Sequence, residues 1–297
     1  MKAITNRQVY ELEELGIPMP IDGSVEILDA EQIKNFYPKR ARNSHKGTYG
    51  SCNIVAGSKQ YAGAAVLSLK GALRSGCGYV KLTSCEYVKG LLVPKLPQVI
   101  YLDEPDLSSQ AIAIGLGMGA TKETYDAVVN LLKNFNGALI IDADGLNALS
   151  LFGIDILQEK TCKVILTPHI KEFSRLTNLS VEEILKSPIE ISKEFSKKYG
   201  VALLLKGAAS IICEGDRVAI NTRGTTALSK GGSGDILSGF MCGCLARGLE
   251  PFAAASCAAF SLGVAAEIAS EEKTDYCATA DDIIKNLHFS VKHLTSK

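Results

Sequence analysis

The 297-residue sequence predicts a three-layer α/β/α sandwich with a mainly parallel central sheet. Three observations predict it. Short apolar runs rich in β-formers recur along the chain, each is apolar throughout instead of alternating, and most lead into a stretch of helical character. Continuous apolarity fits strands covered on both faces, as in a parallel sheet between helix layers.

The elements follow in order. "SCNIVAG" (51–57) reads as a strand, and "GAAVLSLKGALRSG" behind it sets Val66, Leu69 and Leu73 at helical spacing. Further strands are "YVKLT" (79–83), "AIAIG" (111–115), "ALIID" (138–142), "KVILT" (163–167) and "VALLLK" (201–206). "SIICEGDRVAIN" (210–221) differs, because two short strands about a Gly-Asp turn predict an antiparallel hairpin late in the sheet. No repeat or low-complexity linker divides residues 41–297, which read as one domain. Residues 1–40 stand apart as an N-terminal arm or connector, with the turn-rich "GIPMPIDG" ahead of "DAEQIKNFYP".

Hydrophobic residues make up 46% and charged residues 22%, the balance of a globular protein with a core. Lys+Arg and Asp+Glu are equal at 32 each, so charge favours neither nucleic acid nor an acidic membrane as partner. The start, "MKAITNRQVYELEELGIP", lacks the apolar centre of a signal peptide. No run approaches the roughly 18 apolar residues of a membrane span, and the expected compartment is the cytoplasm. The nine cysteines are scattered, with no C-x-x-C pair and no histidine at ligand spacing. They are expected to be small buried hydrophobes in a reducing compartment. Cys242 and Cys244, two apart on a predicted helix, are expected to point to different faces.

Ligands of open parallel sheets collect where strand meets helix, and the small-residue clusters sit there: "AGSKQYAGAA" (56–65), "GLGMGA" (115–120), "DADGLN" (142–147), "TPHIKEF" (167–173) and "KGAAS" (206–210). The most informative is "SKGGSGDILSGF" (229–240). It opens a helix with an apolar stripe of Ile236, Phe240 and Cys244, widened by Leu237 and Met241. Free N–H groups at that helix start, with the dipole behind them, make an anion site that glycine leaves open to phosphate. A Cβ at Gly234 is expected to intrude on that phosphate or to be strained at positive φ. Asp235 would repel an anion unless it accepts the proton of a hydroxyl attacking phosphate. A tight turn followed by a helix cap explains the same residues as well, and on the motif alone both readings stand.

"GLGMGA" also fits a dinucleotide fingerprint, with Asp142 lying 22 residues beyond Ala120, but such a match leaves "KGGSGD" unexplained. No G-x-x-x-x-G-K-[ST] occurs, which excludes a P-loop. His169 reads either as a helix-start residue or as a pocket residue. Lys206 reads either as a snorkelling rim residue or as a charge near phosphate. His45, His288 and His293 lie in polar surroundings and carry no role.

Taken together, "HKGTYGSCNIVAGS", "YAGAA", "ALRSGCGYVKL", "AIGLGMG", "DADGLNAL", "LTPHIKEFSRL", "LLLKGAAS" and "LSKGGSGDILSG" resemble the NAD(P)H-hydrate dehydratase family, the YjeF C-terminal domain of ribokinase-like, carbohydrate kinase-related fold. The likeness runs in order over most of the chain. It implies an ADP-dependent lyase that restores NADH or NADPH from their hydrated forms: a nucleotide phosphorylates the added hydroxyl, then phosphate is eliminated, with AMP released from ADP. By this resemblance Asp235 is the base, and Gly232, Ser233 and Gly234 offer N–H groups to the phosphoryl group. Lys206, Gly207, Ala208, Ala209 and Ser210 match the nucleotide loop, with Gly234 also touching the nucleotide. Ala64, Gly117, His169 and Asp235 match positions that hold the hydrated dinucleotide. Asn147 and Glu172 lie in family motifs and line the site through Mg²⁺ and water.

"GGSGD", where ATP-using eukaryotic members carry "GGQGD", points to ADP over ATP; most bacterial members have threonine at the position of Ser233. The implied partners are hydrated NADH or NADPH, ADP with Mg²⁺, and further copies of the chain in a homo-oligomer such as a tetramer. "LEELGIPMP" resembles the tail of an epimerase domain, which would be fused to this one or paired with it. Three rivals remain: a ribokinase-like small-molecule kinase that keeps its phosphorylated product, a non-catalytic dinucleotide sensor, and a Rossmann dehydrogenase. "HKGTYG" and "TPHIKEF" argue against the first, Asp235 against the second, and a nucleotide requirement would exclude the third.

Overall fold

The computed structural model describes residues 25–295 together with Leu15 and Ile17. The predicted runs form the middle of a ten-stranded sheet: β2 (Ser51–Ala56), β3 (Tyr79–Thr83), β5 (Ala111–Leu116), β6 (Ala138–Ile141), β7 (Lys163–Leu166) and β8 (Ala202–Leu205). With β1 (Val25–Ile27), β4 (Ile100–Leu102), β9 (Ser210–Glu214) and β10 (Arg217–Asn221), the order is β1-β10-β9-β8-β7-β6-β5-β2-β3-β4. Among the described residues only β9 runs against the others, antiparallel both to β8 and to its partner β10 in the predicted hairpin. The ribokinase-like layered architecture expected from the sequence is the one observed.

Successive strand residues feed two separate cores. Ile54, Ala113, Ile140 and Leu204 point to one, while Val55, Ile114, Leu139 and Leu203 point to the other. Both cores exclude water, which is why these strands read as unbroken apolar runs. The first core is covered by α1 (Ala30–Lys34), α2 (Ala62–Arg74), α3 (Glu86–Leu92), and the C-terminal helices α9 (Ser233–Ala246), α10 (Pro251–Cys277) and α11 (Ala280–Thr295). The second is covered by α4 (Lys122–Asn134), α5 (Asp144–Phe152), α6 (Ile170–Thr177), α7 (Val181–Lys186) and α8 (Pro188–Tyr199).

Several expectations change. Val25–Ile27, inside the presumed arm, pairs in parallel with β10 and is part of the sheet; three residues beside a turn-rich stretch are too short to show a period. Most of "LEELGIPMP" lies outside the described residues, but Ile17 is buried in the second core. Helix α9 is buried all round, Cys242 and Cys244 included, so its apolar face is no stripe. It packs backbone to backbone on α2: a Cβ on Gly239 would lie 1.9 Å from the Ser68 carbonyl oxygen, and one on Gly71 2.4 Å from that of Ile236. Helix α10 runs for 27 residues and contains an 18-residue stretch with a mean hydropathy of 1.6, long and apolar enough to cross a membrane, against expectation. Its alanine-rich length is buried in the first core instead. Six cysteines are buried as expected, whereas Cys77 is half-buried and Cys85 and Cys277 are exposed on helix ends.

Candidate active site

The carboxyl ends of β6, β7 and β8 and the N-terminus of α9 converge on a cavity of about 840 Å³. Gly232, at φ 97, is the cap of α9; the chain turns there in a left-handed conformation that favours glycine. No side chain caps this end. The Ser233 N–H makes only a long bond, 3.4 Å, to the Lys230 carbonyl, and the Gly232 carbonyl accepts from the Ile236 N–H at 3.1 Å. The N–H groups of Gly234 and Asp235 are therefore left facing the cavity side of the turn, as helix geometry requires of first-turn donors.

The cradle differs from expectation in one respect. Gly234 does not have a positive φ, and a Cβ there would sit 3.5 Å from Lys206 Nζ and 3.8 Å from Asp142 Oδ2, at ordinary contact distance. The strained position is Gly232, where a Cβ would lie 2.3 Å from Leu67 Cδ1. A Cβ on Gly231 would meet nothing within 4 Å. The fold itself thus demands glycine only at 232, and the openness of 234 is available to something outside the chain.

Across from α9 stands a group of ionisable residues. Lys206, at the end of β8, donates from Nζ to Asp142 Oδ1 at 2.8 Å and lies 4.0 Å from Glu172 Oε2. Burial works against the Lys206 ammonium, but the carboxylates of Asp142 and Glu172 outweigh it and raise its pKa. Asp235 is partly buried and makes no hydrogen bond through its carboxyl among the described residues. Burial first, then the charge of Asp142, pushes that carboxyl up to about 7 against the pull of Lys206, with Asp144 adding to the rise. Burial likewise raises Glu172, which Lys206 opposes.

His169 fulfils both of its readings. Its Nδ1 accepts from the N–H groups of Lys171 (3.1 Å) and Glu172 (3.2 Å), capping α6, and its ring lines the cavity. Glu172 completes the capping box by accepting from the His169 N–H at 2.8 Å. Burial, then Lys206 and Arg175, hold the imidazole below its ordinary pKa.

The structure brings Gly232, Ser233, Gly234, Asp235, His169 and Glu172 to this one cavity, together with Lys206, Gly207, Ala208 and Ser210. Ala209 turns into the second core. Ala64 and Gly117 are neighbours of one another along the same edge of the sheet: a Cβ on Gly117 would lie 2.8 Å from that of Ala64. They are not among the cavity's lining residues, although Leu67, one turn on from Ala64, packs on Gly232. Asn147 stands away from the cavity, its Oδ1 accepting from Arg175 at 2.8 Å.

Among the described residues no three His, Cys, Asp or Glu side chains gather as a metal site. Glu172 and Asn147 are already engaged, so the residues present do not themselves form a Mg²⁺ centre. The "GLGMGA" loop does not present its helix start as a Rossmann fingerprint does, since Thr121 caps α4 and the Gly119 N–H is taken by Asp144 Oδ2 at 2.7 Å.

Sequence reasoning weighed Asp142 only as the acid of a dinucleotide fingerprint, gave Lys230 no role, and missed the segment 221–227, most of which lines the cavity. Lys230 pins that segment to the end of α10 by donating to the carbonyls of Asp275, Tyr276 and Ala278. A lysine flanked by small residues in "ALSKGG" was the available signal.

A family model described as NAD(P)H-hydrate dehydratase matches residues 52–288. The chain is 33% identical over 264 residues to the ADP-dependent (S)-NAD(P)H-hydrate dehydratase of Bacillus subtilis, covering 85% of this chain and 93% of that one. It is 34% identical over 255 residues to the bifunctional NAD(P)H-hydrate repair enzyme Nnr of Thermofilum pendens, covering 80% of this chain and 48% of the relative. The chain spans about half the length of the bifunctional relatives it matches. A crystal structure of the B. subtilis ADP/ATP-dependent NAD(P)H-hydrate dehydratase, co-crystallized with ATP/Mg²⁺, superposes with a TM-score of 0.82 at 31% identity, covering 93% of this chain and all of that one.

Proposed function

The chain belongs to the NAD(P)H-hydrate dehydratase family, and from that premise we propose that it restores NADH and NADPH from their hydrated forms at the expense of a nucleotide, ADP in preference to ATP. One observation carries the reading: a carboxyl raised to about 7, Asp235, sits one residue past an uncapped helix start whose Gly234 leaves room for a ligand. A base poised near neutrality beside anion-binding N–H groups is what phosphorylation of a hydroxyl requires.

In this mechanism the nucleotide's phosphates lie between Lys206, the loop 207–210 and the first turn of α9. Asp235 takes the proton of the added hydroxyl as its oxygen attacks the terminal phosphorus, and the bond to the nucleotide breaks, releasing AMP from ADP. The N–H groups of Gly234 and Asp235 and the Lys206 ammonium stabilise the charge on the transferred group. Phosphate, a far better leaving group than hydroxide, then departs with a proton from the neighbouring ring carbon. Orientation supplies the rest of the acceleration. A magnesium ion accompanying the nucleotide would supply charge neutralisation to its phosphates.

The hydrated dinucleotide extends from Asp235 and His169 towards Ala64 and Gly117. The proposed setting is the cytoplasm, with an epimerase fused or paired as in the bifunctional relatives, and with the chain as a homo-oligomer. The test is to incubate the protein with hydrated NADH and either ADP or ATP while following the absorbance of the reduced ring. Recovery of absorbance with stoichiometric AMP and phosphate, faster with ADP, supports the reading. A stable phosphorylated product without recovery would make the protein a kinase instead.

A further inference from the structure

We propose that Asp142 is a positioning residue for this reaction: it locks the Lys206 ammonium in place and sets a fixed negative charge beside Asp235. The proposal rests on the function proposed above and deepens it. Asp142 is 1% exposed, and both of its oxygens are occupied. Oδ1 accepts from Lys206 Nζ and from the Ala143 N–H, each at 2.8 Å, and Oδ2 accepts from the Ser238 hydroxyl at 2.7 Å.

Three devices from different parts of the chain hold it there. Ala143, which donates one of those bonds, has φ 49 and ψ −117, a strained conformation for a non-glycine residue. Gly115 at the end of β5 leaves room for the Asp142 backbone, since a Cβ there would lie 2.2 Å from the Asp142 carbonyl oxygen. Ser238 reaches across from the second turn of α9, the helix whose first turn carries Asp235.

A carboxylate that merely neutralised a lysine would need none of this, and a buried pair can often be replaced by apolar residues without loss. A charge fixed in one orientation, fully hydrogen-bonded and tied to Ser238, one helical turn from the base, is what a preorganised site uses. The charged groups acting on Asp235 are Asp142 from the end of β6, Asp144 from α5 and Lys206 from the end of β8; Asp142, Glu172 of α6 and Asp235 act on Lys206, which in turn lowers His169 at the cap of α6. Asp142 opposes ionisation of Asp235, whereas Lys206 favours it. Because the two are bonded to one another, the balance at Asp235 holds only while Asp142 holds Lys206.

The experiment compares pH–rate profiles for NADH restoration by the full chain, the Asp142→Asn variant and the Ser238→Ala variant. In wild type the rate should rise through one ionisation near 7. Asp142→Asn removes the like charge and leaves Lys206 to Asp235, and both changes move the acid limb downward, by about one unit or more. Its kcat should fall about tenfold or more as the Lys206 contact loosens. Ser238→Ala keeps every charge, so the limb should stay in place while kcat drops several-fold at an unchanged KM for ADP.

A folded Asp142→Asn variant whose acid limb coincides with that of wild type overturns the proposal. Should that variant not fold, Ser238→Ala decides, and a kcat within about twofold of wild type overturns it. Absence of any limb that Asp235→Asn abolishes would instead remove the proposed function, and this proposal with it.

Discussion

Helix α9 uses glycine for opposite reasons in its middle and at its start. In its middle, Gly239 is required by the fold, because any Cβ would collide with the α2 backbone at 1.9 Å. At its start, Gly234 collides with nothing in the chain, has no positive φ, and opens towards Lys206 and Asp142. The first glycine holds two helices together, and the second leaves a space. Sequence cannot separate these two uses, since both read as glycine in an apolar helix. Only the position a Cβ would occupy tells packing from ligand room, and that distinction makes the N-terminal glycines a candidate site.

The sharpest way to test the functional end is Asp235→Asn. Loss of a general base costs about 10²–10⁴ in rate, and steady-state restoration of NADH measures it. Stability should move the other way. The folded chain keeps its proton on Asp235 up to about 7, whereas an unfolded chain releases it near 3.8, so ionisation of Asp235 erodes stability as pH rises between these values. Asp235→Asn should therefore melt above wild type at pH 8, and the difference should shrink as pH falls towards 4. A variant that melts lower at pH 8 would mean the carboxylate is stabilised by a partner in the folded protein.

Next in size is Gly234→Ala, expected to lose about 10²-fold in turnover as its methyl displaces donors from the phosphoryl position. Its melting temperature should match that of wild type, because the space is open. Gly239→Ala should reverse this pattern. Overpacking against backbone costs about 1–3 kcal/mol, read as a lower denaturation midpoint, with much less effect on turnover per folded molecule. If both substitutions lower melting and turnover alike, the start and the middle of α9 are not distinct. Gly231→Ala should change neither measurement appreciably, since its Cβ meets nothing and the residue is not among those lining the cavity.

Much of the sheet was legible because its central strands are buried on both faces and therefore apolar at every position. β1 and β4 were not, being three residues each at the sheet's edges. The hairpin β9–β10 was legible from its Gly-Asp turn. In the candidate site, the glycines and Asp235 announced themselves as a local motif, and His169 and Lys206 as polar residues ending apolar strands. Asp142 did not, because its partners Lys206 and Ser238 lie 64 and 96 residues further along the chain. Nor could the motif reveal which glycine is strained: the turn falls at Gly232, two residues from the position that spacing suggested.

The central claim is that Asp235 is the base of a nucleotide-dependent dehydration. Its most direct test is the rate of NADH restoration from hydrated NADH and saturating ADP across pH 5 to 9, for wild type and Asp235→Asn side by side. The account predicts a wild-type rate that climbs through a single ionisation near 7 and a variant rate that is about 10²–10⁴ lower with no such climb. A variant that keeps the wild-type rate and pH limb would contradict it.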